Sequence, residues 1–210
     1  MKRICVLVCV AFASILFITS CGGGNSFKSL TGRKMDNKDD IEYALKIIRN
    51  KVQEKKIIEA SIDGSGSELE NKLLYVQLLD LDDKENRVST EIIGVAPENS
   101  NYRDYYPETL DPIVIKFRRP DPAQIPGIDP EMLNSDLLIN GLEKAKAMLA
   151  DIEDYKFKVV GGYNFEVVKG ETICTIIIHT TKPSDSQYTS NYYYEIKFRV
   201  DKNGNVSLQE

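Results

Sequence analysis

Two stretches of this chain can bury an apolar stripe only as helices, and each is followed by runs that can bury one only as strands. Ile41, Ala44, Leu45, Ile48 and Val52 recur at helical spacing and predict a helix over about 39–55. Asn37 is the expected N-cap, with Asp39 and Asp40 in the favourable first turn. Leu138, Leu142, Ala145, Leu149 and Ile152 predict a second helix over about 135–154, entered through Asp129-Pro130-Glu131 with Asp as cap and Pro at the first helical position. Strand-like segments follow the first helix at 57–63, 72–81, 87–95 and 113–118. They follow the second at 156–160, 163–169, 171–181, 191–201 and 205–208. Gly161-Gly162, Lys169-Gly170 and Asn203-Gly204 mark tight turns, and the last is expected to be a type I′ hairpin turn, with positive φ at both residues.

Both halves therefore share one order, an amphipathic helix and then an antiparallel meander. The expected fold class is α+β, as two helix-plus-antiparallel-sheet units over 39–118 and 135–210, joined by a Pro-rich linker at 119–134. In element order this arrangement resembles cystatin-like folds. The competing arrangement is one domain, with a single antiparallel sheet and both helices packed on it.

The N-terminus has a different character. Lys2 and Arg3 precede an apolar run from Ile4 to Ile18, which is shorter than the roughly 20 residues a spanning helix needs. It ends at Ile18-Thr19-Ser20-Cys21, an aliphatic residue, two small ones and a cysteine, with Gly22, Gly23 and Gly24 next. These residues resemble the lipobox of bacterial lipoproteins. The resemblance implies a signal peptide over 1–20, a diacylglyceryl group on the Cys21 sulfur, and a chain held to the bacterial cell envelope by lipid. In a Gram-negative cell it implies the periplasm-facing outer membrane. Residues 21–38 then read as the lipidated cysteine and a flexible tether, with an r.m.s. reach of roughly 20–25 Å. Docking of Phe27, Leu30 and Met35 on the domain is the other reading of that segment.

Composition excludes several functions. The full chain carries a net charge of −5, and losing Lys2 and Arg3 would make it more acidic. Lys116, Arg118 and Arg119 are too few to neutralise a phosphate backbone, so no nucleic acid is expected as a partner. Of four cysteines, Cys5 and Cys9 lie in the signal and Cys21 takes lipid. Cys174 is left alone, which rules out an intramolecular disulfide and a cysteine zinc site.

Candidate catalytic and metal sets are weak. Cys174 and His179 could form a nucleophile and base, but an odd separation along one strand puts them on opposite faces. Cys174 is expected among Ile176 and Ile178 as an inert core thiol, and His179, the one histidine, as a surface or rim residue. Asp201, Asn203 and Asn205 have part of a calcium-loop spacing, yet a hairpin turn accounts for them. Asp80, Asp82 and Glu91 fit ligand positions 1, 3 and 12 of such a loop, but Lys84 falls at position 5. No metal or other cofactor is expected. Tyr192 and Tyr194 share a face with Ile196, Phe198 and Val200 and are expected in the core. Tyr193 goes with Glu195, Lys197 and Arg199 on the solvated side. The candidate recognition element is the loop carrying Tyr102, Arg103, Tyr105 and Tyr106, where aromatic area and hydrogen-bonding groups coincide.

These readings favour a lipid-anchored, non-catalytic binding or interaction module. It would meet the membrane through Cys21 and an envelope protein or ligand through its folded part. The reading from another class is a small envelope hydrolase whose carboxylates converge only in the fold.

Overall fold

The structure is a computed structural model that describes residues 32–64, 71–82, 87–95, 113–116, 125–152, 155–181 and 194–209. Helix α1 spans Lys38–Glu54 and buries Ile41, Ala44, Leu45 and Ile48, the stripe expected of it. The Asn37 side chain accepts from the Asp40 N–H at 3.1 Å, meeting one of the donors a helix start leaves orphaned. Helix α2 spans Ser135–Ala150 and is capped by Asn134, whose side chain accepts from Asp136 N and Leu137 N. Asp129 and Pro130 do not open α2. They open a single 3-10 turn, Pro130–Met132, and Leu133 leaves helical geometry before Asn134 begins the helix proper. Met132 and Leu133 turn inward instead and are almost fully buried.

The described residues form eight strands in chain order: β1 (Ile57–Gly64), β2 (Leu73–Asp82), β3 (Arg87–Gly94), β4 (Ile113–Lys116), β5 (Lys156–Val168), β6 (Glu171–Thr181), β7 (Tyr194–Val200) and β8 (Val206–Leu208). They form one sheet in the order β4-β3-β2-β1-β5-β6-β7-β8, and every pairing is antiparallel. The α+β class thus holds, in the single-sheet form and not as two separate sheets. The joint is β1 against β5, from Glu59 opposite Glu166 to Asp63 opposite Gly162. Two separate meanders would each have left an open row of backbone donors and acceptors at this position, and pairing them removes both edges.

Helices α1 and α2 pack against each other and against the sheet, with Ala60, Ile62, Val76, Tyr163, Phe165, Ile176, Phe198 and Val200 among the side chains of the shared core. Met35 belongs to that core at 0% exposure, and the Tyr163 hydroxyl donates to its carbonyl at 2.7 Å. The tether expected through residue 38 is therefore packed domain in its last residues, the docked reading applying to Met35. Phe27 and Leu30 lie outside the described residues.

Two turns differ from expectation. Gly161-Gly162 is not a turn, because β5 runs through it as one strand with a register shift between Val160 and Gly162. The type I′ geometry expected of Asn203-Gly204 occurs at Lys169-Gly170 instead, where φ is 54° and 87° and Val168 pairs with Glu171. In the β7–β8 connection only Gly204 has positive φ. Gly204 N–H donates to Asp201 O at 2.9 Å, a tight turn followed by a left-handed glycine.

Candidate functional site

Where α2 stops, the sheet continues beyond the described helical cover. The helix ends at Ala150, short of the 154 expected, and the Asp151 N–H closes the last turn on Leu149 and Met148 carbonyls. Past that end Ile152, Tyr155, Tyr194, Glu195, Ile196, Lys197, Leu208 and Gln209 line an open groove of about 780 Å³. Tyr155 and Tyr194 meet edge to face, with ring centroids 5.5 Å apart, a geometry aromatic rings favour. Tyr194 is 37% exposed and Leu208 45%. The core placement expected of Tyr194 is thus overturned: Phe198 and Val200 are buried, but the strand runs past the helix before it reaches Tyr194.

Among the described residues, the groove also borders a stretch of β7 with no strand paired on its outer side. β8 pairs only with Phe198–Val200, and Gln209 N–H reaches the Lys197 carbonyl at 2.9 Å. Glu195 and Lys197 lie on the rim, 3.8 Å apart as an ion pair. Among the described residues, the lining therefore offers aromatic and aliphatic area with one negative and one positive charge, Glu195 and Lys197.

His179 sits beside this edge and is not the rim residue expected, being only 4% exposed. Its ring lies over Gly161, where a β-carbon would come within 2.6 Å of Cε1. Its Nε2 is 3.6 Å from a Glu195 carboxylate oxygen. Burial lowers the imidazole pKa, and the Glu195 charge partly opposes that shift.

Cys174 lies in the core, fully buried, and burial alone pushes its thiol well above the ordinary range. It points into the helix-covered side with Ile176 and Ile178, while His179 takes the opposite parity on β6. The two do not form a nucleophile and base. In the folded soluble domain, iodoacetamide should label Cys174 at least about a hundredfold more slowly than in denaturant. Comparable native and denatured rates, followed by mass spectrometry, would show that the thiol is accessible.

Carboxylates converge at one place on the sheet's other face. Glu59 and Glu166 stand directly opposite each other on β1 and β5. Partial burial and then the Glu166 charge raise the Glu59 pKa, while a hydrogen bond from Asn164 lowers it. Nearby, Ser61 donates to Asp63, whose pKa burial raises. The β5 and β1 strands are separated from the groove on β7 by β6, so neither glutamate lines it.

The two calcium spacings resolve into structure. Asp80 accepts from Lys55 at 3.0 Å and from Ser89 at 2.6 Å, and Glu91 pairs with Lys51 at 2.8 Å, tying β2 and β3 to the end of α1. Asp201 accepts from Asn203 N, Asn205 N and Asn205 Nδ2, bonds that hold the hairpin turn. Among the described residues, no group of three or more His, Cys, Asp or Glu side chains could hold a metal ion. None of the described helices is long and apolar enough to cross a membrane. Cys21, Tyr102, Arg103, Tyr105, Tyr106, Tyr192 and Tyr193 lie outside the described residues.

The fold and groove define an α+β domain with one long antiparallel sheet, helices on one face, and an aromatic recess where the helical cover ends. No family model matches this chain, and no curated protein matches it. Among solved structures it is similar to a "putative lipoprotein" of Clostridium difficile 630, at 16% identity over 79% of this chain and 89% of that one, with a TM-score of 0.47.

Proposed function

We propose that this protein is a lipid-anchored, non-catalytic binding module of the bacterial cell envelope, and that it holds an apolar or aromatic group of an envelope partner in the groove beside β7. The anchoring part rests on the signal-like N-terminus and Cys21. The binding part is carried by one observation: among the described residues, the groove is lined by Tyr155, Tyr194, Ile196 and Leu208 with one carboxylate, Glu195. Hydrolysis of the two-carboxylate kind needs both groups flanking one bond. The facing pair, Glu59 and Glu166, lies elsewhere on the sheet, so the binding reading is the better supported.

The tyrosine-rich segment remains part of the proposal on composition alone. A pull-down from membranes with the intact protein would supply the partner, and its affinity would then be measured for two variants. Tyr194→Ala should weaken binding by about 2 kcal/mol or more, as for a central aromatic anchor. Its thermal midpoint should fall only modestly, by the loss of the edge contact with Tyr155, about 0.5–1.5 kcal/mol. Tyr105→Ala with Tyr106→Ala should produce a loss of similar size if that segment contributes a second anchor. Unchanged affinity in the Tyr194 variant would remove the groove from the binding surface. A loss confined to the Tyr105 and Tyr106 pair would move recognition to the segment between β3 and β4.

A further inference from the structure

Side chains from both faces of β7 line the groove. Tyr194 and Ile196 lie on one face, with Ile152, Tyr155 and Leu208 beside them, and Glu195 and Lys197 lie on the other. Within a sheet, neighbouring strands keep the two faces apart. One recess can reach both sets only by running along the edge of the strand itself. The hydrogen bonds say which backbone groups stand at that edge. Lys197 O accepts from Gln209 N at 2.9 Å, continuing the pairs of Phe198 with Leu208 and Arg199 with Ser207. Tyr194 O turns the other way, accepting from the Thr180 hydroxyl of β6 at 3.1 Å. In an antiparallel ladder alternate residues turn both backbone groups to the same neighbour. Glu195 therefore shares the outward direction of Lys197, presenting its N–H and C=O on the groove side. Among the described residues, no strand pairs with Glu195 there.

From this edge, we infer that the partner enters the groove as an extended segment that adds a strand to β7, in line with β8, and pairs its backbone with Glu195. The inference rests on the binding reading of the groove proposed above and names the chemistry of its occupant. The added strand would lie about 4.8 Å out from β7, where the recess of about 780 Å³ opens. A helix would leave the outward groups of Glu195 unmatched, because its own backbone groups are already paired. An extended chain matches them, and its alternating side chains meet the two sets that line the groove. The residue opposite Glu195 shares the face of that carboxylate and carries a positive charge, since opposite charges attract across a strand pair. Lys197 is already opposite Gln209, so Glu195 is the charged residue the new strand faces. The residues on either side of that basic one turn to the Tyr155, Tyr194 and Ile196 face and are apolar. The recognised pattern is apolar, basic, apolar in an extended chain.

The test uses the full chain in lipid nanodiscs and the probe fluorescein-Thr-Phe-Arg-Phe-Thr-amide, with binding read by fluorescence anisotropy against empty nanodiscs. N-methylation of the arginine removes the N–H that meets Glu195 and should weaken binding at least about tenfold. N-methylation of the second phenylalanine, whose N–H faces away from β7, should change it less than about twofold. Glu195→Lys should weaken the arginine probe about threefold or more, and a probe with glutamate in place of arginine should recover the loss. No specific binding of the arginine probe, or equal losses from the two N-methyl groups, would overturn strand addition. Probe affinity unchanged by Tyr194→Ala would place the peptide outside the groove and overturn it as well. The groove reading is judged separately, by the effect of Tyr194→Ala on the partner recovered from membranes. A loss there without alternation in the N-methyl probes would keep the groove and remove the strand.

Discussion

Cys21→Ala is expected to keep its original N-terminus and to carry no acyl mass, whereas under the proposed anchoring the wild-type chain should begin at a diacylglyceryl Cys21. The thiol is the nucleophile that takes the lipid, and alanine offers no substitute. If the cleavage after Ser20 depends on prior acylation, as the resemblance to lipoprotein processing implies, the variant accumulates with residues 1–20 attached. Membrane association is the wrong readout, because an uncleaved apolar run from Ile4 to Ile18 would itself hold the variant to the bilayer. Intact mass of the membrane fraction separates the two cases. Each buried methylene contributes about 0.8 kcal/mol, so two long chains on Cys21 would hold the wild type stably. A wild-type membrane form with an unmodified Met1 N-terminus would end the proposal.

The helices were legible because their signals are local. The cap at Asn37 and the stripe from Ile41 to Ile48 need only neighbours three and four residues away, and both appear as expected. The strand segments were legible for the same reason, as was Cys174, whose parity with Ile176 and Ile178 carries it into the core. Joining the halves into one sheet was not legible. The pairing of β1 with β5 brings together residues about a hundred positions apart, and no local pattern distinguishes it from two closed meanders. The groove was hidden for a related reason, since it exists only because α2 stops before the strand beneath it does. One missed feature did leave a trace. Val160, Tyr163 and Phe165 are all buried in the core, yet 160 differs in parity from 163 and 165. An apolar pattern that changes parity across a glycine signals an extra residue in a continuous strand, not a turn. His179 lies over Gly161 of the neighbouring strand, a contact between strands that reading the sequence residue by residue left unseen.

Gly161→Ala should destabilise the domain by about 2–3 kcal/mol, the upper part of the range for overpacking, through the ring of His179. Backbone conformation is not the obstacle, since Gly161 has no left-handed φ and alanine could adopt its angles. The obstacle is space: a β-carbon would lie 2.6 Å from Cε1 and 2.9 Å from Cδ2, and the ring is buried, with little room to retreat. Removing the ring should remove the penalty. His179→Ala alone will cost stability by leaving a void, but adding Gly161→Ala to it should cost little more. The double-mutant cycle should then show a coupling close to that whole penalty, about 2–3 kcal/mol, read from chemical denaturation of all four proteins. A titration gives an independent signature. The folded-state pKa of His179 is lowered, so the unfolded chain binds the proton more readily, and the wild type should lose stability as pH falls below about 6.5 toward the folded-state value. The His179→Ala protein should lack that component. Losses from the two substitutions that simply add would show that alanine is excluded by the bulge geometry, with the imidazole playing no part.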